Sequence, residues 1–195
     1  MTLPPRSADE WLEAIHKEFA PESDRGAALV AGAMLDEALK SLLAKRFVPP
    51  MKKDQDVLRR DAPLSTFSAR INAAYQMGLI SSYLARDLHV IRSIRNEFAH
   101  HLFEYTFDSP KVKNWVMVLE QASDYNRRQP KTRADIGPPG TRWDFLGIAA
   151  WILYSLQRDI EEMEPLQPQG PEFGYIDWDK LPEAIRKLTP EPGAT

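Results

Sequence analysis

Cysteine is absent from the 195 residues of this sequence. Its absence excludes disulfide frameworks, thiolate zinc sites, iron–sulfur clusters and cysteine nucleophiles. The nine glycines are scattered without the spacing of a phosphate-binding loop, and the four histidines form no His-Glu-x-x-His motif. We therefore expect neither a cofactor nor a bound metal.

Long apolar runs are also absent. The longest uninterrupted run covers residues 145–154, which is about half the length that a membrane span requires. Residues 1–5 lack the positively charged and then apolar pattern of a secretory signal. These two features predict a cytoplasmic protein without a membrane segment.

Neither sign of charge is in large excess. The chain has 25 Lys and Arg against 28 Asp and Glu, which gives a formal net charge of −3. A protein that binds duplex DNA gains much of its affinity by neutralising phosphates with basic side chains, so direct DNA binding is disfavoured. The local exception is residues 45–60, with six basic and two acidic side chains. This stretch is the candidate DNA-binding surface, and a solvated loop is the simpler interpretation.

What the sequence does have is helical periodicity. Apolar residues recur at three- and four-residue spacing, and no stretch alternates convincingly with period two, so an all-α protein is predicted. We assign residues 1–164 to a single bundle of about six helices. The second helix is rich in Ala and Gly on its apolar face, which suggests close approach by another helix. The predicted helix starts are Ser7, Ser23 or Asp24, Leu64–Ser65, Ser81 or Ser82, Asp108–Pro110 and Thr141.

A tail follows the predicted bundle. Residues 165–195 contain six prolines, which no compact helical core accommodates. We assign them to a Pro-rich acidic tail, in which residues 177–188 could form one short helix.

Arg95 is the most informative charge in the predicted helix that ends near residue 100. At about 100° per residue it lies in register with Leu88 and Phe98 on the apolar stripe of that helix. Burying an unpaired guanidinium is very costly, so we expect Arg95 to face inward and to be paired. The candidate partners are the acids Glu22, Asp24, Asp36 and Glu37. For Asp24, ordinary capping of a helix start is the other interpretation.

Beside the apolar stripe, Arg92, Asn96 and His100 recur every four residues and form a polar ridge. Together with Asp24 and Arg25, at the start of the second helix, this polar ridge is the leading candidate for a contact surface.

Three segments, residues 22–29, 64–71 and 87–100, carry a resemblance through the motifs Ser-Asp-Arg-Gly, Leu-Ser-x-Phe-Ser-x-Arg-Ile and Ile-Arg-Asn-Glu-Phe-Ala-His. In this order and spacing the chain resembles the mannitol operon repressor family of bacterial all-helical proteins, over roughly residues 22–119. The resemblance implies a non-enzymatic transcriptional regulator. Since such proteins lack a recognisable helix-turn-helix, it implies action through a protein partner, with a homodimer as a further expectation. The binding residues assigned with this interpretation are Asp24, Arg25, Arg92, Arg95, Asn96 and His100.

The last of these motifs also resembles a wider helical superfamily, the HEPN domains, whose ribonuclease members carry an Arg followed after four to six residues by a His. This resemblance implies an alternative, a metal-independent ribonuclease of a toxin or defence system that binds RNA. His100 would then act as the base for the ribose 2′-hydroxyl, and Arg95 would stabilise the charge on the phosphate. The two residues lie roughly 140° apart around one helix, so two copies of the chain would have to combine them. The simpler interpretation is that Arg95 is structural and His100 caps its helix.

Overall fold

The fold is that of a computed structural model, which describes residues 17–19, 21–101, 105–123, 140–168 and 182–183. Contacts divide the chain into two units, residues 1–165 and 166–195, and all features below belong to the first. The predicted helix start at Ser7 and the predicted short helix in the tail lie outside the described residues, except for Pro182 and Glu183. The tail itself stays a prediction.

The described residues form five α-helices and one 3-10 helix, and no strand occurs among them. Residues 17–19 are also helical. The prediction of an all-α protein is therefore confirmed. The helices are α1 (Asp24–Arg46), α2 (Phe67–Gln76), α3 (Ser82–His100), α4 (Pro110–Ser123) and α5 (Thr141–Glu162), and the 3-10 helix covers Lys53–Gln55.

Short polar side chains fix where three of these helices begin, because each hydroxyl accepts a backbone N–H that the helix itself cannot satisfy. The caps are Ser23 on α1, Thr66 on α2 and Ser81 on α3, at oxygen–nitrogen distances of 3.0–3.2 Å. The predicted starts of α1 and α3 are thus confirmed. The predicted start of α2 at Leu64 is too early, since the Leu64 amide donates to the carbonyl of Val57 in a turn.

The core is built around α1, which contacts α2, α3 and α5, while α4 lies against α3 and α5. The apolar run predicted to be central does lie in the core, since residues 145–150 of α5 are all buried. No helix among the described residues is both long and apolar enough to cross a membrane. The buried residues of α1 are Ala27, Ala28, Ala31, Gly32, Leu35, Leu39, Leu42 and Leu43.

Arg142, in the first turn of α5, ties three parts of the chain together. Its Nη1 donates to Oδ1 of Asp24 at 2.6 Å, and its Nη2 donates to the carbonyls of Phe19 and Glu22 at 2.9 and 2.6 Å. The other oxygen of Asp24, Oδ2, accepts from the amide of Phe107 at 3.0 Å. Both carboxylate oxygens of Asp24 are therefore used, so Asp24 is not the partner of Arg95, for which it was one of four candidates.

We expect Arg142→Ala to lower the free energy of unfolding by about 2–4 kcal/mol, because it leaves a half-buried carboxylate without its partner. The two side chains are 18% and 26% exposed, so water screens the pair only in part. Urea unfolding followed by circular dichroism measures the loss. The matched control is Arg158→Ala, whose side chain is 57% exposed beside Asp159 and should change stability by less than about 0.5 kcal/mol. A loss of under 1 kcal/mol for Arg142→Ala would contradict this role.

Asp87 is a second buried acid, but its surroundings are different. It lies on α3 and is 5% exposed, and its Oδ1 lies 3.7 Å from Nε of Arg86. No hydrogen-bond partner for this oxygen exists in the part of the chain that the structure describes. Burial raises the pKa of Asp87 from 3.8 to about 6, although the charge of Arg86 acts in the opposite direction.

This pKa predicts a pH-dependent stability. Between about pH 4 and pH 6 the folded protein holds the proton of Asp87 more tightly than the unfolded chain does, so raising the pH destabilises the fold. We expect Asp87→Asn to remove up to about 3 kcal/mol of this loss. Urea unfolding at half-unit pH steps gives the slopes. The exposed Asp54→Asn is the control and should keep the parent slope; an unchanged slope in Asp87→Asn would overturn the assignment.

Candidate functional site

The site begins with a close approach of α3 to α1 at Gly32. A Cβ placed on Gly32 would lie 2.7 Å from Cγ of Arg95 and 3.1 Å from its Cβ, which is too close for ordinary packing. The stem of Arg95 therefore lies directly across the backbone of α1. This is the close helix approach that the small residues of α1 predicted.

Arg95 itself is exposed, so the prediction that it faces inward is wrong. The helix buries Leu88, Ile91, Ile94 and Phe98, and Arg95 lies at the edge of this stripe rather than within it. Its methylene groups cover Gly32 while the guanidinium reaches towards water, as long basic side chains commonly do. Its Nη1 donates to Oδ1 of Asn96 at 3.0 Å.

A cleft of about 490 Å³ lies between α1, the start of α2 and α3, and we call it the α1–α3 cleft. It brings together Arg92, Arg95 and Asn96, three of the six predicted binding residues. No group of three or more potential metal ligands occurs within the described ranges. The lining residues are Gly32, Ala33, Asp36, Glu37, Ser65, Thr66, Phe67, Ser68, Arg92, Arg95 and Asn96.

The two acids of the cleft are already paired with residues outside its lining. Oδ1 of Asp36 accepts from Nη1 of Arg70 at 2.6 Å, and Glu37 accepts from Nζ of Lys40 at 3.1 and 3.2 Å. Arg70 is 8% exposed and also donates from Nε to the carbonyl of Leu64. The carboxylates therefore neutralise cations of their own.

Arg92 has no hydrogen-bond or ion-pair partner among the described residues, and its Nε is fully buried. The positive charge of Arg92 nevertheless acts on the neighbouring His89. The pKa of His89 is lowered, mainly by burial and then by the positive charge of Arg92. Oδ1 of Asn72 lies 3.0 Å from Nε2 of the same imidazole. The cleft thus carries the unneutralised charges of Arg92 and Arg95.

The other predicted binding residues lie outside this lining. His100 is exposed at the last turn of α3. Arg25 donates to the carbonyls of Ala99 and His101, both at 3.3 Å, and so satisfies the C-terminal end of α3. Asp24 is held by Arg142. Asp24 and Arg25 therefore fix the ends of helices.

Reasoning from the sequence did not single out Ser65, Thr66 and Ser68 as site residues. They belong to the segment of residues 64–71, which carries part of the family resemblance. That resemblance was the feature of the sequence that could have indicated them as site residues. Asp36 was named as a candidate acid for a buried arginine. The arginine it holds is Arg70, next to the buried Ile71, rather than Arg95.

The contact between Gly32 and Arg95 predicts that the effects of substitutions at these two positions on stability are coupled. Gly32→Ala alone should cost about 1–2 kcal/mol of stability, because overpacking outweighs the better helix propensity of alanine. In the Arg95→Ala background the obstructing Cγ is gone, so Gly32→Ala should be neutral or stabilising. A double-mutant cycle from urea unfolding measures the difference. The control is Ala33→Ser, on the exposed side of α1. Gly78→Ala is unsuitable as a control because the φ of Gly78 is +70°, which strains alanine. Additive single effects at Gly32 and Arg95 would rule out the contact.

The arrangement of helices is similar to that in one solved structure, the X-ray structure of the MtlR–HPr complex from Escherichia coli, in which MtlR is a mannitol operon repressor. The TM-score is 0.55 at 16% sequence identity, and the likeness covers 76% of this chain and 99% of that chain. No protein-family model and no curated protein sequence matches this chain. At this identity the comparison concerns the fold, and it establishes that this chain has a mannitol-repressor-like fold.

Proposed function

We propose that the protein is a non-enzymatic transcriptional regulator that acts through contacts with another protein. The observation that carries the proposal is the mannitol-repressor-like fold, because the similar structure is a complex of such a repressor with a protein partner, HPr. The sequence resemblance over residues 22–119 supports the same assignment. We propose an HPr protein from the same organism as the first partner to test.

The proposed contact surface is the polar ridge. Arg92 and Asn96 lie on the α1–α3 cleft, and His100 is exposed one turn further along α3. Arg25 holds the end of α3 from α1, so the ridge is presented by a fixed helix rather than a fraying one. A rigid polar surface of this kind supports a specific contact because little side-chain and backbone freedom is lost on binding.

The ribonuclease remains the second candidate, and one observation favours it. Arg95 and His100 are both exposed, as residues that touch RNA must be. They are five positions apart on one helix, so a single copy does not bring them to one face. The proposal therefore requires a homodimer whose two α3 helices face each other.

The regulator proposal predicts binding that isothermal titration calorimetry detects at physiological salt, with a dissociation constant below about 0.1 mM. The double variant Asn96→Ala/His100→Ala should weaken it tenfold or more, because residues at an interface centre carry most of the binding energy. The matched control is Lys113→Ala/Arg158→Ala, two exposed positions on α4 and α5, which should bind as the parent does.

Two results would count against the regulator. The first is no detectable association with HPr, or an equal loss in the control variant. The second is cleavage of mixed RNA in the presence of a chelator that disappears in His100→Ala, since this would establish the ribonuclease. Steep loss of duplex DNA retention as salt rises would instead point to the basic stretch of residues 45–60.

A further inference from the structure

The α1–α3 cleft has a charge that its own chain leaves unbalanced. Four charged side chains line it, and the two acids are taken by Arg70 and Lys40. Arg92 and Arg95 remain without a carboxylate partner among the described residues. Nε of Arg92 is buried and has no hydrogen-bond partner among the described residues, which is unfavourable for a donor.

Further donors surround these two arginines. Residues 65–68 lead into the first turn of α2, and Ser65, Thr66 and Ser68 carry hydroxyl groups on the cleft. The Thr66 side chain accepts from the amide of Ala69, whereas the amides of Phe67 and Ser68 have no acceptor in the described part of the chain. Amides at the start of a helix favour an anion.

A neighbouring cleft provides a contrast. It encloses about 540 Å³ and is lined by four cations, but two of these, Lys40 and Arg70, are already paired with acids of α1. The remaining Arg59 and Arg60 share the lining with the carboxylates Asp56 and Asp61. The charges that line this neighbouring cleft are therefore balanced, whereas Arg92 and Arg95 of the α1–α3 cleft have no carboxylate partner among the described residues.

We propose that the α1–α3 cleft binds a small ligand through a phosphate monoester group. The phosphate lies between Arg92, Arg95 and the first turn of α2. A phosphate monoester suits this site because it carries close to two negative charges and three acceptor oxygens, which match two guanidinium groups and several N–H and O–H donors. The volume leaves room for the rest of a small molecule, which Phe67 can contact. This inference shares Arg92 with the regulator proposal but makes a separate claim, since it concerns a small ligand and not a protein.

The test is an NMR titration of the full-length chain at 150 mM NaCl with inorganic phosphate and with glycerol phosphate as probes. We expect saturable shifts of the Ser68 amide and of the Arg92 and Arg95 Nε–H groups. Arg92→Gln should weaken binding tenfold or more, because a charged hydrogen-bond donor is lost. Arg95→Gln, at an exposed position, serves as a second variant and should also weaken it at least threefold. Thermal unfolding checks that each variant is folded.

Arg60→Gln removes the same charge from the neighbouring cleft and is the matched control. It should bind both probes within about twofold of the parent. The proposal is overturned if shifts stay linear to 50 mM phosphate, if Arg60→Gln loses as much affinity as Arg92→Gln, or if acetate binds as tightly as phosphate. Because HPr takes no part in the titration, failure here leaves the regulator proposal standing, and the converse also holds.

Discussion

The whole candidate site depends on how near α3 can come to α1. At Gly32 no side chain separates the two helices, so the stem of Arg95 rests on the backbone of α1. This contact brings Arg92 and Arg95 to the same cleft as the first turn of α2. A side chain at position 32 would collide with the stem of Arg95, so either that stem or α3 would have to shift. The packing of α3 on α1 thus determines which charged groups line the cleft.

The arginines of this bundle are used in two ways. Arg25, Arg70 and Arg142 each satisfy carbonyls or a carboxylate that the helices would otherwise leave without partners. Such pairs join elements that are distant in sequence, since Asp24 and Arg142 are 118 positions apart. Arg92 does not follow this pattern, because its guanidinium pairs with no described group. The other half-buried cations of the described residues are paired, and this difference is what supports the proposed ligand site beside α3.

What could be predicted from the sequence is the part that short segments determine. Ser23 and Ser81 predicted helix starts because a cap acts within three residues, and the apolar spacing of α3 predicted its buried face. The prediction for Arg95 was wrong because a long side chain at the edge of an apolar stripe can extend into water while its position in the sequence still fits the spacing of the stripe. The partner of Asp24 could not be predicted either. Ion pairs between distant segments depend on the tertiary arrangement, and periodicity along one helix carries no information about it.

The segment that opens α1 has a consequence for how related chains should be interpreted. Ser23 caps its own helix, Asp24 secures the start of α5, and Arg25 closes the end of α3, so three consecutive residues organise three helices. The Ser-Asp-Arg-Gly string of this chain therefore serves its architecture. Differences in partner or ligand among such proteins should be sought at cleft residues such as Arg92, which holds no other described helix in place.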